Sequence, residues 1–342
     1  MKKQILIFGA GSIGNHFANA CSKLKYNTFV TDISEKALKR MKDKIYPTRY
    51  KKWNNNIKLI YNLNLYEVLN KNKFDLVIIG TPPSTHFEIF KKIKSYNIKN
   101  ILIEKPLCSF SENPKFFMKY NAKSNLFCGY NHSISKSFNF FTKKILNKKI
   151  KLIKITWNEN WEGILNAHFW MKDEFDSYLG NYKRGGGATQ EHSHGLHLLI
   201  TLTNLLNIKI DLKKIQKNIL FKTRGKIKYD NYLSMFLKNE KTNFFLETNL
   251  LDSPTNKSII AYHENGFTKY LVNFKQGNDA VIQKIDKKEK IYLFKKDRTS
   301  EFLNEVKHIF SLKNDISYKR SNINIKRGIE TLNLIKFLFL KT

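Results

Sequence analysis

The chain is poor in cysteine, arginine and acidic residues, and none of its apolar runs is long. Its 342 residues hold three cysteines, Cys21, Cys108 and Cys128. They lie too far apart for metal-ligand spacing or a disulfide framework, which suits a reducing cytoplasm. No stretch reaches the roughly 18 uninterrupted apolar residues of a membrane span; the greasy C-terminal stretch 331–340 is too short. No charged-then-apolar leader precedes the first apolar run, so no signal peptide is expected. No internal repeat, linker or low-complexity tract stands out.

Acidic residues number 28 against 61 lysines and arginines, a net charge of +33. Such an excess is the electrostatic footprint of nucleic-acid binding. Yet only seven of the basic residues are arginine, the side chain whose planar fork reads phosphate and guanine. The lysines are spread along the whole chain among Asn, Ile, Phe and Tyr, as an AT-rich coding sequence would place them at neutral surface positions. The expectation is a partner that is neither nucleic acid nor membrane, with a modest attraction to anionic small molecules such as sugar phosphates or nucleotide sugars.

With 42% hydrophobic residues the chain can bury a large core, and its length suggests two domains. Up to about residue 125, short apolar runs alternate with helical patterns, the signature of a parallel sheet with crossover helices. Strands are predicted at 4–8, 27–31, 57–60, 75–80, 100–103 and 125–129, and helices at 12–25, 34–43, 65–71, 85–96 and 112–121. Residues 126–342 read as a second domain with longer alternating strands at 151–157, 208–221, 231–238, 243–251, 257–263, 267–274 and 289–294. Turn pairs such as Asn265-Gly266 and Gly277-Asn278 make most of these antiparallel neighbours. One helix at 190–206 interrupts them, and two more, at 298–312 and 322–340, close the chain. The fold class is α/β: a doubly wound N-terminal domain at 1–125, then an α+β domain with an open, mostly antiparallel sheet and helices on one face. The last helix is a candidate to pack back on the N-terminal domain.

The first predicted strand runs straight into Gly9-Ala-Gly11-Ser12-Ile13-Gly14, which opens a helix, and the next strand ends at Asp32. Gly9 allows the sharp turn, Gly11 lets the backbone approach a pyrophosphate, and Gly14 lets the helix lie tightly on the sheet. The open N–H groups of the helix start, from Ser12 on, face the phosphate. Asp32, 18 residues beyond Gly14, is placed to accept hydrogen bonds from ribose hydroxyls, which favours NAD, with NADP as the alternative. Strand, glycines, helix, strand and acid come in the order that a dinucleotide site requires.

Three further segments sit where such an enzyme needs them. Thr81-Pro82-Pro83-Ser84-Thr85-His86 follows the fourth strand, at the edge where open sheets bind ligands. The Thr81 hydroxyl could contact the cofactor's second ribose; the segment reads equally as a helix-capping turn, with Ser84 or Thr85 as N-cap. His86, at the helix start, reads as structural from the residues alone. Glu104-Lys105-Pro106 follows the fifth strand, where Lys105 can hydrogen-bond a substrate hydroxyl and offset the charge left as its proton departs. The third is the glycine turn Arg184-Gly-Gly-Gly leading into Glu191, His192, His194 and His197. On one continuous helix Glu191, His194 and His197 lie about 60° apart in succession and form one polar edge. A histidine near neutrality suits general-base work on an alcohol, with Glu191 either orienting it or hydrogen-bonding Lys105. The glycines would let the helix start approach a bulky ligand. The cluster holds atoms suited to a metal but fits no zinc-helix pattern, so no metal is expected.

An aromatic stretch supplies candidates for a carbohydrate pocket: Trp157-Asn-Glu-Asn-Trp161, then His168-Phe-Trp170 and Asp176-Ser-Tyr178-Leu-Gly180. Trp157 and Trp170 read as core, whereas Trp161, flanked by Asn160 and Glu162, and Tyr178 are the pocket candidates, with Arg184.

Taken together, Gly9 to Gly14, Thr81-Pro82 with His86, Glu104-Lys105-Pro106, Gly129-Tyr130-Asn131 and Gly185-Gly-Gly before a histidine-bearing helix resemble the Gfo/Idh/MocA oxidoreductases, named for glucose-fructose oxidoreductase, inositol dehydrogenase and rhizopine catabolism. The resemblance runs over essentially the whole chain. It implies a Rossmann domain joined to an α/β domain whose open sheet often buries itself against a partner subunit, giving a homodimer or homotetramer. It implies hydride transfer between a nicotinamide and a sugar or polyol carbon, with surface-glycan metabolism within the family's range. The family's catalytic lysine corresponds to Lys105 and its histidine most nearly to His194. Pro82, His86 and Glu104 join the cofactor set, and Asn131 and His197 the substrate set. Glu191 and His197 stand where aspartates are usual, and His132-Ser133 where an arginine is common. The rival reading that these departures suggest is a catalytically silent NAD(H)-binding sensor or regulatory protein.

Overall fold

A computed structural model describes residues 2–61, 65–119, 124–168, 171–275 and 277–340. The expected core residue Trp170 lies outside them. Contacts divide the chain into two units, Met1–Asn131 with Arg298–Ile329, and His132–Asp297 with Glu330–Thr342.

The first unit is built on six parallel strands in the order β3-β2-β1-β4-β5-β6. These are β1 (Gln4–Phe8), β2 (Asn27–Asp32), β3 (Ile57–Tyr61), β4 (Leu76–Ile79), β5 (Asn100–Ile103) and β6 (Asn125–Cys128). Ile5 to Phe8, all of β4 and all of β5 are buried, which is why they read as unbroken apolar runs: crossover helices cover both faces. The helices are α1 (Ser12–Lys23), α2 (Glu35–Arg40), α3 (Tyr46–Tyr50), α4 (Leu65–Lys71), α5 (Pro83–Ile93) and α6 (Lys115–Lys119). A π-helical turn, Met41–Ile45, joins α2 to α3, so the helical stretch runs past the expected end at 43. The doubly wound parallel domain is as expected from the sequence.

The second unit carries an eight-stranded sheet, β14-β13-β12-β11-β7-β10-β9-β8. Before it come α7 (Lys136–Ile145), β7 (Ile150–Asn158), α8 (Trp161–Ala167), α9 (Ala188–Glu191) and α10 (His194–Leu205). Then follow β8 (Ile215–Arg224), β9 (Ile227–Leu237), β10 (Asn243–Asn249), β11 (Asn256–His263), β12 (Gly266–Lys275), β13 (Asn278–Ile285) and β14 (Lys288–Lys295). All neighbours are antiparallel except β7 and β10. Ile155 and Trp157 of β7 and Leu246 of β10 are buried beneath α10, whereas on the opposite face Lys154 of β7 is exposed and its cross-strand neighbours Phe245 and Ile260 are half-buried. The sheet is thus open on one side, as expected.

Three points differ from the sequence reading. Strand β13 was not foreseen, nor were α7 and α8, so the helix at 190–206 is not the sole helix in the middle of this unit. That helix is itself broken: α9 ends at Glu191, His192 and Ser193 form a turn, and α10 starts at His194. Finally, α11 (Arg298–Ser311) and α12 (Asp315–Arg320) belong to the first unit, and within α13 (Ile325–Leu340) the division falls after Ile329. Phe302 of α11 stacks on His16 at 4.9 Å and meets Phe17 edge-on at 4.8 Å, both on α1. The boundaries 1–125 and 126–342 therefore differ from the compact units. A helix that covers another helix carries no mark of its target in its own amphipathic pattern.

Candidate active site

Every motif of the first unit lies at one edge of its sheet. Because all six strands run in the same direction, the loops after β1, β4, β5 and β6 and the tip of β2 emerge together at the carboxyl edge. Those positions hold Gly9 to Gly14, Thr81-Pro82, Glu104-Lys105, Asn131 and Asp32. β1, β4, β5 and β6 are consecutive neighbours, about 4.8 Å apart.

The glycine turn is fixed by contacts that a side chain would abolish. Gly9 has φ +101°, and a Cβ there would lie 2.7 Å from the Gly80 carbonyl oxygen. A Cβ on Gly14 would lie 1.9 Å from the Gly9 carbonyl oxygen, so α1 rests directly on the turn. Around Gly11, by contrast, a Cβ would meet nothing within 4 Å. Gly11 is also the N-cap of α1 and provides no side-chain cap, leaving the N–H groups of Ser12, Ile13 and Gly14 for a ligand. Open space beside uncapped helix N–H groups fits a pyrophosphate. Asp32 braces the same turn: its Oδ2 accepts the Ala10 N–H at 2.8 Å and its Oδ1 the Ser34 N–H at 2.9 Å. These bonds fix the carboxylate at the position from which it can take ribose hydroxyls. The residues therefore fit a bound dinucleotide.

The Thr81 loop is held by its neighbours. The Thr85 hydroxyl donates to Thr81 Oγ1 at 2.7 Å and is also 2.8 Å from the Pro82 carbonyl oxygen. The N-cap of α5 is Pro82 and Pro83 is its first residue, so Ser84 and Thr85 lie inside the first turn and neither is the cap. His86 is fully buried, with Nε2 2.8 Å from the Thr81 carbonyl oxygen and Nδ1 3.1 Å from that of Leu107. It pins the loop after β4 to the segment after Lys105, and burial lowers its pKa to about 4. So sealed, His86 shapes the cofactor loop and does not line it.

Lys105 is half-buried and its peptide bond to Pro106 is cis. Its N–H lies 3.3 Å from Glu104 Oε2. The Glu104 carboxylate is buried against Gly129, where a Cβ would come within 2.5 Å of Oε1. Glu104 is therefore the wedge that shapes the backbone around Lys105. On α11, Glu305 is fully buried and its carboxyl has no hydrogen-bond partner among the described residues. Burial first, then the charge of Glu104, push its pKa well up. Asn131 closes the row, its Oδ1 buried and without a hydrogen-bond partner among the described residues.

In the second unit the broken helix rearranges the expected polar edge. Glu191 ends α9 and is half-buried, and His194 starts α10, also half-buried. The His194 ring meets His132 edge-on at 4.7 Å and leans on Trp157 at 5.9 Å. His197 is buried, with Nδ1 3.1 Å from Thr331 Oγ1 and Nε2 3.3 Å from Ser133 Oγ, so it fastens α10 to two neighbours and shares no polar edge with Glu191. The glycine turn approaches protein, not ligand. A Cβ on Gly186 would lie 2.2 Å from the carbonyl oxygens of Tyr178 and Leu179, and one on Gly187 would lie 2.0 Å from Asp230 Oδ1. Arg184 is exposed. Trp157 is core, as expected. Trp161 and Tyr178 pack on a small cluster of Ile164, Leu179, Ala188, Tyr229 and Leu250, and the Trp161 Nε1–H donates to the Tyr229 hydroxyl at 3.0 Å. Among the described residues no three His, Cys, Asp or Glu side chains group to hold a metal, and no helix is long and apolar enough to cross a membrane.

Sequence reasoning missed Asp230, Gln190 and Glu305. The Gln190 Nε2 donates to the carbonyl oxygens of Tyr182 at 2.6 Å and Gly186 at 3.0 Å. Asp230 and Glu305 carried a faint signal, a lone acid within a strand and an acid on the apolar stripe of an amphipathic helix, which points to no partner.

Residues 3–132 match the model of the oxidoreductase family, NAD-binding Rossmann fold (GFO_IDH_MocA). No curated protein matches the chain significantly. Among solved structures, the WlbA dehydrogenase from Bordetella pertussis, in complex with NADH and UDP-GlcNAcA, is 14% identical with a TM-score of 0.67, over 99% of this chain and 96% of that one. UDP-N-acetylglucosamine 3-dehydrogenase GnnA from Acidithiobacillus ferrooxidans is 12% identical with a TM-score of 0.69, covering 99% and 97%. The aldose-aldose oxidoreductase from Caulobacter crescentus, complexed with glycerol, is 12% identical with a TM-score of 0.72, again covering 99% and 97%. At such identities the likeness is one of fold, and it extends over the whole chain. The glycine turn, Asp32, Thr81, Lys105 and Asn131 thus all lie within the segment that matches the NAD-binding Rossmann fold of that oxidoreductase family.

Proposed function

We propose that the chain is an NAD(P)-dependent oxidoreductase that moves a hydride between a nicotinamide and a secondary hydroxyl or keto carbon of a sugar, sugar derivative or polyol. The observation that carries this reading is the row at the carboxyl edge of the first sheet: Gly9 to Gly14 after β1, Thr81 after β4, Lys105 after β5 and Asn131 after β6. A dinucleotide seated on α1 and extended along that edge brings its reactive end toward β5 and β6.

The glycine turn with Ser12 and Ile13 holds the pyrophosphate, Asp32 the adenosine ribose, and Thr81 and Pro82 the second ribose, with Glu104 fixing the backbone of Lys105. When bound, the nicotinamide supplies the acceptor or donor of hydride. The Lys105 ammonium hydrogen-bonds the substrate hydroxyl and stabilises the alkoxide as it forms. His194 removes the hydroxyl proton as general base, its ring steadied by His132 and Trp157. Glu191 orients it. Asn131, whose Oδ1 is buried and unpartnered among the described residues, takes a further substrate hydroxyl. Trp161, Tyr178 and Arg184 belong to the substrate side, the first two as packed walls, and His197 contributes through α10. The nucleotide-sugar dehydrogenases of this fold make nucleotide sugars the first substrates to try, and the lysine-rich surface attracts such anions. The open sheet face suits self-association into a homodimer or homotetramer. Buried cysteines without a disulfide fit a reducing cytoplasm.

The test is NADH formation or consumption with nucleotide sugars, aldoses and polyols. Turnover lost in both Lys105→Ala and His194→Ala with NADH affinity retained supports the assignment. Undiminished turnover in both removes it, and tight NADH binding without turnover on any of them favours the silent sensor.

A further inference from the structure

The segment that bears Glu191 and His194 is fastened by a group that has no part in the reaction above. Asp230, on β9, is fully buried. Its Oδ2 accepts two hydrogen bonds from Thr189, one from the N–H at 2.7 Å and one from the hydroxyl. Its Oδ1 lies against Gly187, where φ is +89° and no Cβ would fit, and accepts no hydrogen bond among the described residues. The carboxyl thus caps the start of α9, whose N-cap, Gly187, has no side chain to do so. Other fasteners of this turn, the Gln190 amide and the Thr248 hydroxyl, cannot titrate.

We propose that Asp230 is the positioning residue of the Glu191 to His194 segment, and that its protonation state is transmitted through Thr189 and α9 to the His194 ring. The inference rests on the proposed role of His194. Ionised, the carboxylate receives both Thr189 donors as charge-assisted bonds. Protonated, it loses that charge, the bonds weaken, and the first turn of α9 relaxes. Burial raises the Asp230 pKa to about 7, opposed by the two Thr189 bonds and its own backbone, so the change falls where an enzyme works.

On the turns packed against β9, Lys183 and Arg184 are exposed and Tyr178 and Tyr182 are half-buried. Glu191 and His192 lie on and just after α9. On β9, Lys228 reaches over the rings of Phe221, at 4.5 Å, and Tyr182, and the Tyr229 hydroxyl is bonded to Trp161 and Glu174. From β8 the residue opposite Asp230 is Phe221. No ion pair involves Asp230 among the described residues.

The experiment follows the His194 ring resonances of the full chain with NADH by NMR across about pH 5 to 9, assigned by loss in His194→Gln. In the parent protein they should show an inflection near pH 7 besides the ring's own titration. Asp230→Asn should erase that inflection and keep the other. Thr189→Val, which keeps the N–H and removes the hydroxyl donor, should move the inflection upward by roughly half a unit, and this tests the idea even if the Asp230→Asn protein does not fold. Identical His194 titrations in parent and Asp230→Asn, or no movement in Thr189→Val, would overturn the proposal. Because no substrate is used, absent turnover would refute the proposed function without touching this result.

Discussion

Alanine at position 11 and alanine at position 14 should fail in different ways, and the contrast tests the cofactor site without knowledge of the substrate. At Gly14 the new Cβ would sit 1.9 Å from the Gly9 carbonyl oxygen and 3.0 Å from its carbon. Ordinary contact begins at 3.4 Å, so backbone must yield by about 1.5 Å. The turn cannot retreat. The Gly9 N–H is bonded to the Thr31 carbonyl oxygen at 2.8 Å, and its far side already faces the Gly80 carbonyl. The helix α1 must therefore lift off β1. Overpacking of this kind costs about 1–3 kcal/mol, or roughly 2–10 °C in melting temperature for a unit of this size, and it withdraws the N–H groups of Ser12 and Ile13 from the phosphate. At Gly11 the new Cβ meets nothing within 4 Å and φ is −81°, so the fold should be unaffected. The methyl group would instead fill the space assigned to the pyrophosphate. By thermal unfolding and NADH fluorescence titration, Gly14→Ala should lose both stability and affinity. Gly11→Ala should melt like the parent and bind NADH at least tenfold more weakly, a loss of about 1.4 kcal/mol or more. Parent-like NADH affinity in Gly11→Ala would show that the pyrophosphate does not lie against Gly11.

Three other outcomes follow from the same structure. The folded pKa of Asp230, about 7 against 3.8 for the free group, means that the folded chain holds a proton that the unfolded chain releases. Stability therefore falls as pH rises from about 4 through about 7, by an upper limit of roughly 4 kcal/mol, and Asp230→Asn should gain in melting temperature relative to the parent as pH rises; a gap that narrows would count against it. For His86 the folded value of about 4 lies below 6.5, so its contribution is present above the unfolded pKa and is lost as pH falls through the folded one, by about 3 kcal/mol. His86→Gln should flatten that acid-side decline in thermal unfolding. Asp32→Ala should weaken NADH binding and narrow the gap between NADH and NADPH, since it removes the brace on the Ala10 N–H and the charge facing a 2′-phosphate; unchanged discrimination in paired fluorescence titrations would contradict this.

The first unit was legible because its signals are local. Unbroken apolar strands such as Leu76–Ile79 and glycines at fixed offsets mark a parallel sheet and its ligand edge within a few residues of one another. The polar edge of Glu191, His194 and His197 was not, because it exists only on one continuous helix and the helix is broken after Glu191. The turn at His192 and Ser193 is fixed by tertiary contacts: Asp230 lies 41 residues from Thr189, and Ser133 lies 64 residues from His197. For the same reason the sequence does not show that the Trp161 indole N–H is bonded to Tyr229, and Gly186 and Gly187 read as room for a ligand when they are room for Tyr178, Leu179 and Asp230. Helix α11 carried its amphipathic stripe plainly, but the stripe does not say that α1 is its partner.

The proposed role of Lys105, at the carboxyl end of β5, is to act on a hydroxyl beside the nicotinamide. Its most direct test is the rate of NADH formation at 340 nm, measured with nucleotide sugars, aldoses and polyols in the parent and in Lys105→Ala, alongside the NADH dissociation constant of each. At least one of these compounds should reduce NAD in the parent, with kcat falling at least about 100-fold in Lys105→Ala while NADH binds both proteins alike. A Lys105→Ala protein that turns over at the parent rate would remove Lys105 from the reaction.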